Sequence, residues 1–257
     1  MNEESPVVRT DREQCAILTL NRPARLNAIS NEMVDELERA LDAIERDESR
    51  VVIFTGSGRA FCAGTDLSAH ENDTMARMKR MHRFVLRLQE FPKPSVAAVN
   101  GICFGGGLEV ALGCTFRVAG PSAKLGLPEI KLGLMPLYGG TALLPELVGK
   151  NRALELMLSG DPVDARRAHE IGLVNSISSR DLSLLDDTCA YAMTMGRHSK
   201  IPREVLRRLI REHGEQATLK ESLEAEMAAC GPVIDCEDAH EGVEAFLQKR
   251  KPIVRDR

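Results

Sequence analysis

A run of three glycines, at positions 105–107, separates two apolar segments and constrains the local fold more than any other feature of this chain. The segment before it, Ser95–Val99, has the length and composition of a buried strand, and residues 108–112 form an apolar, helix-like run. A helix that begins at the glycines leaves its first backbone N–H groups unpaired, with the positive end of the helix dipole beside them. Because glycine lets a ligand approach the backbone closely, this turn is suited to bind an oxyanion.

Two glutamates belong to the same stretch of sequence. Glu109 lies in the first turn of the predicted helix, and Glu129 follows Pro128 in the segment LGLPEI, where a loop can hold it. Two carboxylates near one oxyanion site are the groups needed to move protons next to a carbonyl. Each part alone has a simpler interpretation: helix packing for the glycines, a dipole contact for Glu109 and a surface position for Glu129. Their combination favours a catalytic site.

The overall composition favours a globular protein with an ordinary core. Of 257 residues, 43% are hydrophobic and 28% are charged, and no apolar run approaches the roughly 20 residues that span a bilayer. The net charge of −4 provides no basic field for nucleic acid or an anionic membrane. The polar, acidic segment MNEESPVVRTD does not resemble a signal or transit peptide, so we expect a cytoplasmic protein with neither nucleic-acid nor membrane partners.

The seven cysteines favour a reducing compartment. Their number is odd, and most lie in apolar contexts such as AFCAG and GICFG, as small buried hydrophobic residues do. Cys230, Cys236 and His240 are close in sequence but lack the spacing of a zinc site, so we predict no metal centre.

Strand-like and helical segments alternate along the first part of the chain, which predicts an α/β fold. Strands are predicted at 16–20, 51–55, 95–99, 116–119 and 174–177, and helices at 30–46, 74–88, 108–112, 141–148, 151–158 and 164–171. Amphipathic helices follow at 182–195, 201–212, 218–229 and 237–249. We therefore divide the chain into an α/β core at 1–195 and a helical C-terminal region at 196–257.

Six segments, read in order along nearly the whole chain, resemble the enoyl-CoA hydratase/isomerase, or crotonase, family. They are LNRPARLNAIS, GSGRAFCAGTDL, PSVAAVNGICFGGGLEVAL, LGLPEIKLGLMP with GGTALL, the stretch from ELMLSG through DARRAHEIGLVN, and EDAHEGVEAFLQKRKP. The resemblance implies a crotonase-like spiral of ββα units, with a helical C-terminal region that serves oligomerisation and contacts CoA. It also implies a homotrimer or a homohexamer.

The resemblance implies the chemistry as well. The family binds acyl-CoA thioesters and stabilises a thioester enolate with two backbone N–H groups, which correspond here to those of Ala63 and Gly106. Such donors bind the enolate-like oxygen of the transition state better than the neutral carbonyl. An acid at both glutamate positions is similar to the hydratases, in which Glu109 would orient and deprotonate the attacking water and Glu129 would deliver a proton to C2. Isomerases generally keep only the acid that corresponds to Glu129.

Substrate-binding positions carry over from the family in the same way. Those implied for the nucleotide, the pantetheine and the acyl pocket are Arg25, Leu26, Ala28, Ala63, Gly64, Thr65, Asp66, Leu67, Leu137, Tyr138, Phe246 and Lys249. Phe246 and Lys249 match residues that often reach CoA across a subunit contact. Leu137 and Tyr138 stand where hydratases usually have small residues. The bulkier pair could reshape the acyl pocket, favour a different acyl group or block water.

We predict an enoyl-CoA hydratase that adds water to a trans-2-enoyl-CoA, with coenzyme A as part of the substrate and no separate cofactor. The alternative on the same scaffold is an isomerase, a C–C lyase or a thioester hydrolase, because a fold does not fix a reaction. The alternative of another class is a non-catalytic homologue that binds acyl-CoA or RNA. The two glutamates and the acidic charge balance argue against it.

Overall fold

The computed structural model describes residues 5–67, 74–212 and 218–256. The chain divides into two compact units, Met1–Met193 and Thr194–Arg257. The first unit carries the sheets, and the second is helical. Within the described ranges, no helix is both long and apolar enough to cross a bilayer.

The larger sheet of the first unit is mostly parallel. Its strands, numbered in chain order, are β1 (Val7–Arg12), β2 (Cys15–Leu20), β3 (Val51–Gly56), β5 (Ser95–Val99), β7 (Phe116–Ala119) and β10 (Ser176–Ile177). They pair in the order β1-β2-β3-β5-β7-β10, with β1 and β2 antiparallel and the other neighbours parallel. The strands predicted at 16–20, 51–55, 95–99 and 116–119 are confirmed. The strand predicted at 174–177 is confined to its last two residues, and β1 is not predicted from the sequence.

Both faces of this sheet are buried, as expected for parallel strands covered by helices. Leu18 and Phe54 point to one core cluster, which also contains the buried side chains of α1 (Asn31–Arg46). Their neighbours Ile17 and Ile53 point to a second cluster with Leu184. This alternation follows from the two-residue period of a strand.

A smaller sheet positions the site. Its strands are β4 (Ala60–Cys62), β6 (Ile102–Phe104), β8 (Lys124–Gly126) and β9 (Val163–Asp164), in the order β4-β6-β8-β9. The first three are parallel, and β9 is antiparallel to β8. The carboxyl ends of parallel strands meet at one edge of a sheet, so the residues that follow β4, β6 and β8 are brought together there. None of these strands is predicted from the sequence, because two or three residues are too few to show a period.

The helices agree with the predicted segments, with ends shifted by one to several residues. They are α1, α2 (Thr74–Glu90), α3 (Gly106–Gly113), α4 (Gly140–Val148), α5 (Lys150–Ser159), α6 (Ala165–Glu170), α7 (Leu184–Gly196), α8 (Lys200–Glu212), α9 (Leu219–Ile234) and α10 (Glu237–Leu247). Ser30 caps α1, since its hydroxyl accepts a hydrogen bond from the N–H of Met33 at 3.2 Å. In the second unit, α9 begins with a reciprocal capping box between Thr218 and Glu221.

Candidate active site

A cavity of about 130 Å³ lies where the loops after β4, β6 and β8 meet in the first unit. Nine of the residues predicted for the site line it: Ala63, Gly64, Thr65, Leu67, Gly106, Glu109, Glu129, Leu137 and Tyr138. The parallel pairing of β4, β6 and β8 explains this convergence of segments that are far apart in sequence. The structure thus brings the glycine turn and both glutamates into one cavity.

The glycine turn forms the N-terminus of α3, as the sequence predicts. Gly105 precedes the helix with a φ of 52°, in the region that favours glycine. Gly64, in the loop after β4, has a φ of 105°. A Cβ atom added to Gly64 would lie 3.4 Å from the nitrogen of Gly106 and 3.1 Å from the carbonyl oxygen of Phe104. The loop after β4 therefore contacts the start of α3 directly.

The N–H groups available at this contact differ from the predicted pair in one member. The N–H of Ala63 donates to the carbonyl oxygen of Leu26 at 3.0 Å, so it is already used within the chain. Within the described ranges, the N–H groups of Thr65 and Gly106 donate to no acceptor. The oxyanion role of Gly106 stays a prediction. The N–H of Thr65, two residues after Ala63, is available at this contact, whereas that of Ala63 is not.

Glu109 is buried in the first turn of α3, and its carboxylate is held by the segment that leads into α4. Its Oε1 accepts hydrogen bonds from the N–H of Tyr138 at 2.7 Å and from the N–H of Gly140 at 2.9 Å. Burial raises the pKa of Glu109 to about 7; the charge of Glu129 adds to this rise, and the two N–H donors oppose it. A carboxyl group with a pKa near neutrality can both take and release a proton during turnover.

Glu129 lies in the short 3-10 helix Pro128–Leu132, which follows β8. Its Oε2 is buried and has no hydrogen-bond partner among the residues that the structure describes. A Cβ atom added to Gly105 would lie only 2.9 Å from its Oε1, so the carboxyl group contacts the glycine turn. Burial raises the pKa of Glu129 as well. This acid is partly desolvated and has an oxygen to offer to a ligand.

Leu137 and Tyr138 form a wall of the cavity over the glycine turn. A Cβ atom added to Gly106 would lie 2.9 Å from both Cδ2 and Cε2 of Tyr138. The hydroxyl of Tyr138 accepts a hydrogen bond from the Thr65 hydroxyl at 2.8 Å. On α2, the imidazole of His82 lies 2.7 Å from the carbonyl oxygen of Leu137. The bulky pair therefore occupies volume that small residues would leave open beside the N-terminus of α3.

Four of the predicted binding residues of the first unit lie outside the cavity. Arg25 is exposed, and the carbonyl oxygen of Leu26 accepts the N–H of Ala63. The carbonyl oxygen of Ala28 accepts a hydrogen bond from the guanidinium of Arg22 at 2.7 Å. Asp66 is buried, and its carboxylate pairs with Arg22 instead of facing the cavity. Contacts of these four residues with the nucleotide of CoA stay a prediction.

Phe246 and Lys249 belong to the second unit. Phe246 is exposed near the end of α10, and Lys249 follows that helix with a φ of 54°. Their contact with CoA also stays a prediction.

Two residues of the site region escape the sequence analysis. Asn27 is buried with a φ of 56°, and its amide donates to the carbonyl oxygens of Ser57 and Ala60 at 2.9 and 2.7 Å, which ties its turn to β4. An asparagine between apolar residues is the signal for such a turn, since asparagine tolerates this conformation. Arg77 lines the cavity from α2, one helical turn before the buried Met81. The sequence signal for Arg77 is a cation within the apolar stripe of a helix.

Other parts of the described chain offer weaker candidates for a functional site. A more open depression of about 300 Å³ lies beside α1 and α2 and contains no predicted site residue; it is lined by Glu45, Arg83, Leu86, Arg87, Glu90, Phe91 and Pro92. Across the described ranges, no group of three or more His, Cys, Asp or Glu side chains is placed to hold a metal ion. All seven cysteines are free thiols.

Comparison with known proteins gives consistent matches over almost the full chain. A family model described as enoyl-CoA hydratase/isomerase matches residues 10–257. The 2,3-dehydroadipyl-CoA hydratase of Escherichia coli (strain K12) is 40% identical over 256 residues, which are 98% of this chain and 100% of the relative. The 1,2-epoxyphenylacetyl-CoA isomerase of the same strain is 37% identical over 244 residues, covering 91% of this chain and 92% of the relative. A crystal structure of enoyl-CoA hydratase from Bacillus anthracis matches with a TM-score of 0.92 and 34% identity, covering 98% of this chain and 100% of that one. The predicted crotonase-like α/β fold is confirmed.

Proposed function

The chain belongs to the enoyl-CoA hydratase/isomerase family of enzymes, which act on acyl-CoA thioesters, and we propose that it is an enoyl-CoA hydratase. The observation that carries the proposal is that Glu109 and Glu129 line one cavity together with the backbone of Thr65 and Gly106. Hydration of a 2,3 double bond needs a base for water, an acid for carbon and donors for the thioester oxygen. These four residues offer all three.

The thioester oxygen is proposed to bind between the N–H groups of Thr65 and Gly106. Attack of water at C3 moves negative charge onto this oxygen, so the donors stabilise the transition state more than the substrate. The positive end of the α3 dipole acts in the same direction. Loss of one such donor typically raises the barrier by about 2.7–4 kcal/mol. Thr65 takes the role predicted for Ala63 because the N–H of Ala63 is bonded to Leu26.

The two acids are proposed to divide one proton-transfer task. Ionised Glu109 accepts a proton from water as the water oxygen bonds to C3, and protonated Glu129 gives its proton to C2. The sum of the two transfers is the addition of one water molecule. The raised pKa values of both groups support this division, since two neighbouring buried carboxyl groups favour a state in which only one is charged.

The proposal also covers the cofactor, the oligomeric state and the cellular location of the protein. Coenzyme A enters as part of the substrate, and the two glutamates and the N–H donors are proposed to carry out the reaction without a separate cofactor. We also propose a homotrimer or homohexamer in the cytoplasm. In support, both units expose large apolar side chains, among them Leu154 and Leu158 in the first and Ile210 and Phe246 in the second. Light scattering at micromolar concentration that gave a monomer of 28.2 kDa would contradict the assembly.

The deciding experiment is an assay of the purified protein with crotonyl-CoA, followed by the loss of absorbance of the conjugated thioester. Wild-type protein is expected to hydrate it. Glu109→Gln and Glu129→Gln should each lower kcat by about 10²–10⁴-fold with little change in acyl-CoA affinity. Glu155→Gln is the matched control, because Glu155 is exposed on α5 and does not line the cavity.

Double-bond isomerisation is the competing outcome of the same assay. A wild-type protein that leaves crotonyl-CoA unchanged but moves the double bond of a 3-enoyl-CoA would replace the hydratase with an isomerase. In that case Glu129→Gln should abolish the migration and Glu109→Gln should affect it mildly. Full hydration by Glu109→Gln would remove the water-activating role of Glu109.

A further inference from the structure

Tyr138 is fixed at three points around the proposed oxyanion site. It is 4% exposed, and its backbone N–H donates to Glu109 Oε1 at 2.7 Å. Its ring contacts the Cα side of Gly106, where an added Cβ would lie 2.9 Å from two ring carbons. Its hydroxyl accepts a hydrogen bond from the hydroxyl of Thr65 at 2.8 Å. The side chain thus extends from one proposed donor residue, Gly106, to the other, Thr65.

The direction of the hydroxyl bond leaves one proton of Tyr138 available. A phenol has one O–H donor and can accept as well. Because the Thr65 hydroxyl is the donor in this pair, the O–H of Tyr138 is not used by it, and it donates to no other acceptor within the described ranges. A buried donor without an acceptor costs about 1–3 kcal/mol. An acceptor that arrives with the substrate would recover this cost.

We propose that the Tyr138 hydroxyl is a third hydrogen-bond donor to the thioester oxygen, beside the N–H groups of Thr65 and Gly106; this inference rests on the proposed function. The hydroxyl lies next to the residue whose N–H would bind the oxygen, and the ring is held against the residue that carries the other N–H. A hydrogen bond to an oxygen that gains negative charge is stronger than one to a neutral carbonyl. The phenol therefore acts mainly on the transition state.

Thr65 then has two roles. Its N–H binds the thioester oxygen, and its hydroxyl holds the phenol in the orientation that presents the free proton to that oxygen. The Thr65 hydroxyl is a positioning group, since it acts through Tyr138. This arrangement explains why a bulky tyrosine is compatible with a reactive site at the start of α3.

The test compares Tyr138→Phe, which removes only the hydroxyl, with the wild type in the crotonyl-CoA assay. We expect kcat to fall about tenfold or more, towards the ~10²–10³-fold known for loss of an oxyanion donor, with KM nearly unchanged. Tyr191→Phe is the matched control, because Tyr191 lies away from the cavity, edge-on to Phe116 in the second core cluster. It should keep wild-type kcat.

Thr65→Val and Thr65→Ser separate positioning from packing. Valine keeps the N–H and the shape but loses the hydroxyl, so kcat should fall less than in Tyr138→Phe. Serine restores the hydroxyl and should recover most of kcat. If Tyr138→Phe fails to fold, as judged by urea denaturation, the Thr65 pair carries the test.

A spectroscopic measurement keeps this inference distinct from the hydratase proposal. Acetoacetyl-CoA is an enolisable thioester whose enolate absorbs in the ultraviolet, and a third donor should raise the enolate fraction bound to wild-type protein above that bound to Tyr138→Phe. If the wild type binds a larger enolate fraction than Tyr138→Phe but does not hydrate crotonyl-CoA, the hydratase proposal fails while the donor role is supported. Equal enolate fractions and equal kcat in the wild type and Tyr138→Phe would overturn the donor role and reduce Tyr138 to a wall of the acyl pocket.

Discussion

Arg22 and Asp66 form an ion pair, with 2.9 Å between Nη2 and Oδ2, that joins the turn before Ala28 to the residue after Thr65. The side chains are 25% and 10% exposed, so the pair is largely shielded from water. Arg22 also donates to the carbonyl oxygen of Ala28 at 2.7 Å. The pair therefore restrains the loop whose Thr65 N–H is proposed to bind the thioester oxygen.

Asp66→Asn is expected to lower both stability and turnover. The substitution leaves the guanidinium of Arg22 without its carboxylate, and loss of one partner of a shielded pair costs up to about 3 kcal/mol in the free energy of unfolding. Urea denaturation and the hydration assay measure the two effects. Asp186→Asn is the control: Asp186 pairs with Arg12, but its side chain is 74% exposed, so the change should stay below about 1 kcal/mol. Equal small changes in both variants would show that the pair does not restrain the loop.

The pH dependence of hydration should report the buried acid Glu109. Because its pKa is raised to about 7, the ionised base is a minority species below neutrality, and kcat/KM should rise with pH as Glu109 ionises, for as long as Glu129 keeps the proton that it delivers. The charge of Glu129 contributes part of the increase in the pKa of Glu109. In Glu129→Gln the midpoint of the residual activity should therefore move to lower pH. A profile that is flat through neutrality would exclude Glu109 as the base.

Glu109→Gln should be more stable than the wild type at neutral and alkaline pH, although its turnover is expected to be lower. The folded-state pKa of about 7 lies above the ordinary glutamate pKa of 4.5, so folding favours the protonated form. The cost of ionising Glu109 is absent below about pH 4.5, grows as pH rises and is complete above about pH 7, where it amounts to about 3 kcal/mol. Glutamine carries no charge and keeps an oxygen for the N–H groups of Tyr138 and Gly140.

Urea denaturation at about pH 8 and about pH 5 measures this effect. The stability gain of Glu109→Gln should be large at the higher pH and small at the lower one. Glu155→Gln, at an exposed position, should change little at either pH. A gain of equal size at both pH values would trace to packing and not to the charge of Glu109.

The sequence predicts the parts of the site that depend on local pattern. The turn at 105–107 and Glu109 are adjacent along the chain, and a strand–glycine–helix pattern is enough to place them together. The long strands of the larger sheet are predicted because five or six residues show their apolar character. β4, β6 and β8 carry the rest of the site, but each has only three residues, so its pairing is visible only in the structure.

Two residues show what requires tertiary contacts. Whether Ala63 or Thr65 offers a free N–H depends on which one pairs with the distant carbonyl of Leu26, and the sequence motif does not specify this. Asp66 follows the same motif, yet its carboxylate is used by Arg22, which is 44 residues away in sequence. Local propensity cannot separate the residue that serves the ligand from those that hold the loop.

Arg77 leads to a prediction about the acyl group. It is half-buried on α2 and lines the same cavity as Glu109 and Glu129. A guanidinium binds carboxylates with paired, charge-assisted hydrogen bonds. We expect the protein to prefer a 2-enoyl-CoA whose acyl chain ends in a carboxylate over an uncharged one of equal length.

The expected preference is roughly tenfold to a hundredfold in kcat/KM, the range of a hydrogen bond to a charged group. Arg77→Met should remove the preference by weakening only the carboxylate-ended substrate, since the uncharged one makes no use of the guanidinium. Lys79→Met is the matched control, because Lys79 lies two residues further along α2, is exposed and does not line the cavity. Loss of one positive charge there should leave the ratio unchanged. If both variants shift the ratio equally, the preference reflects the overall charge of the surface. If Arg77→Met slows both substrates alike, Arg77 supports the cavity wall and does not bind the end of the acyl chain.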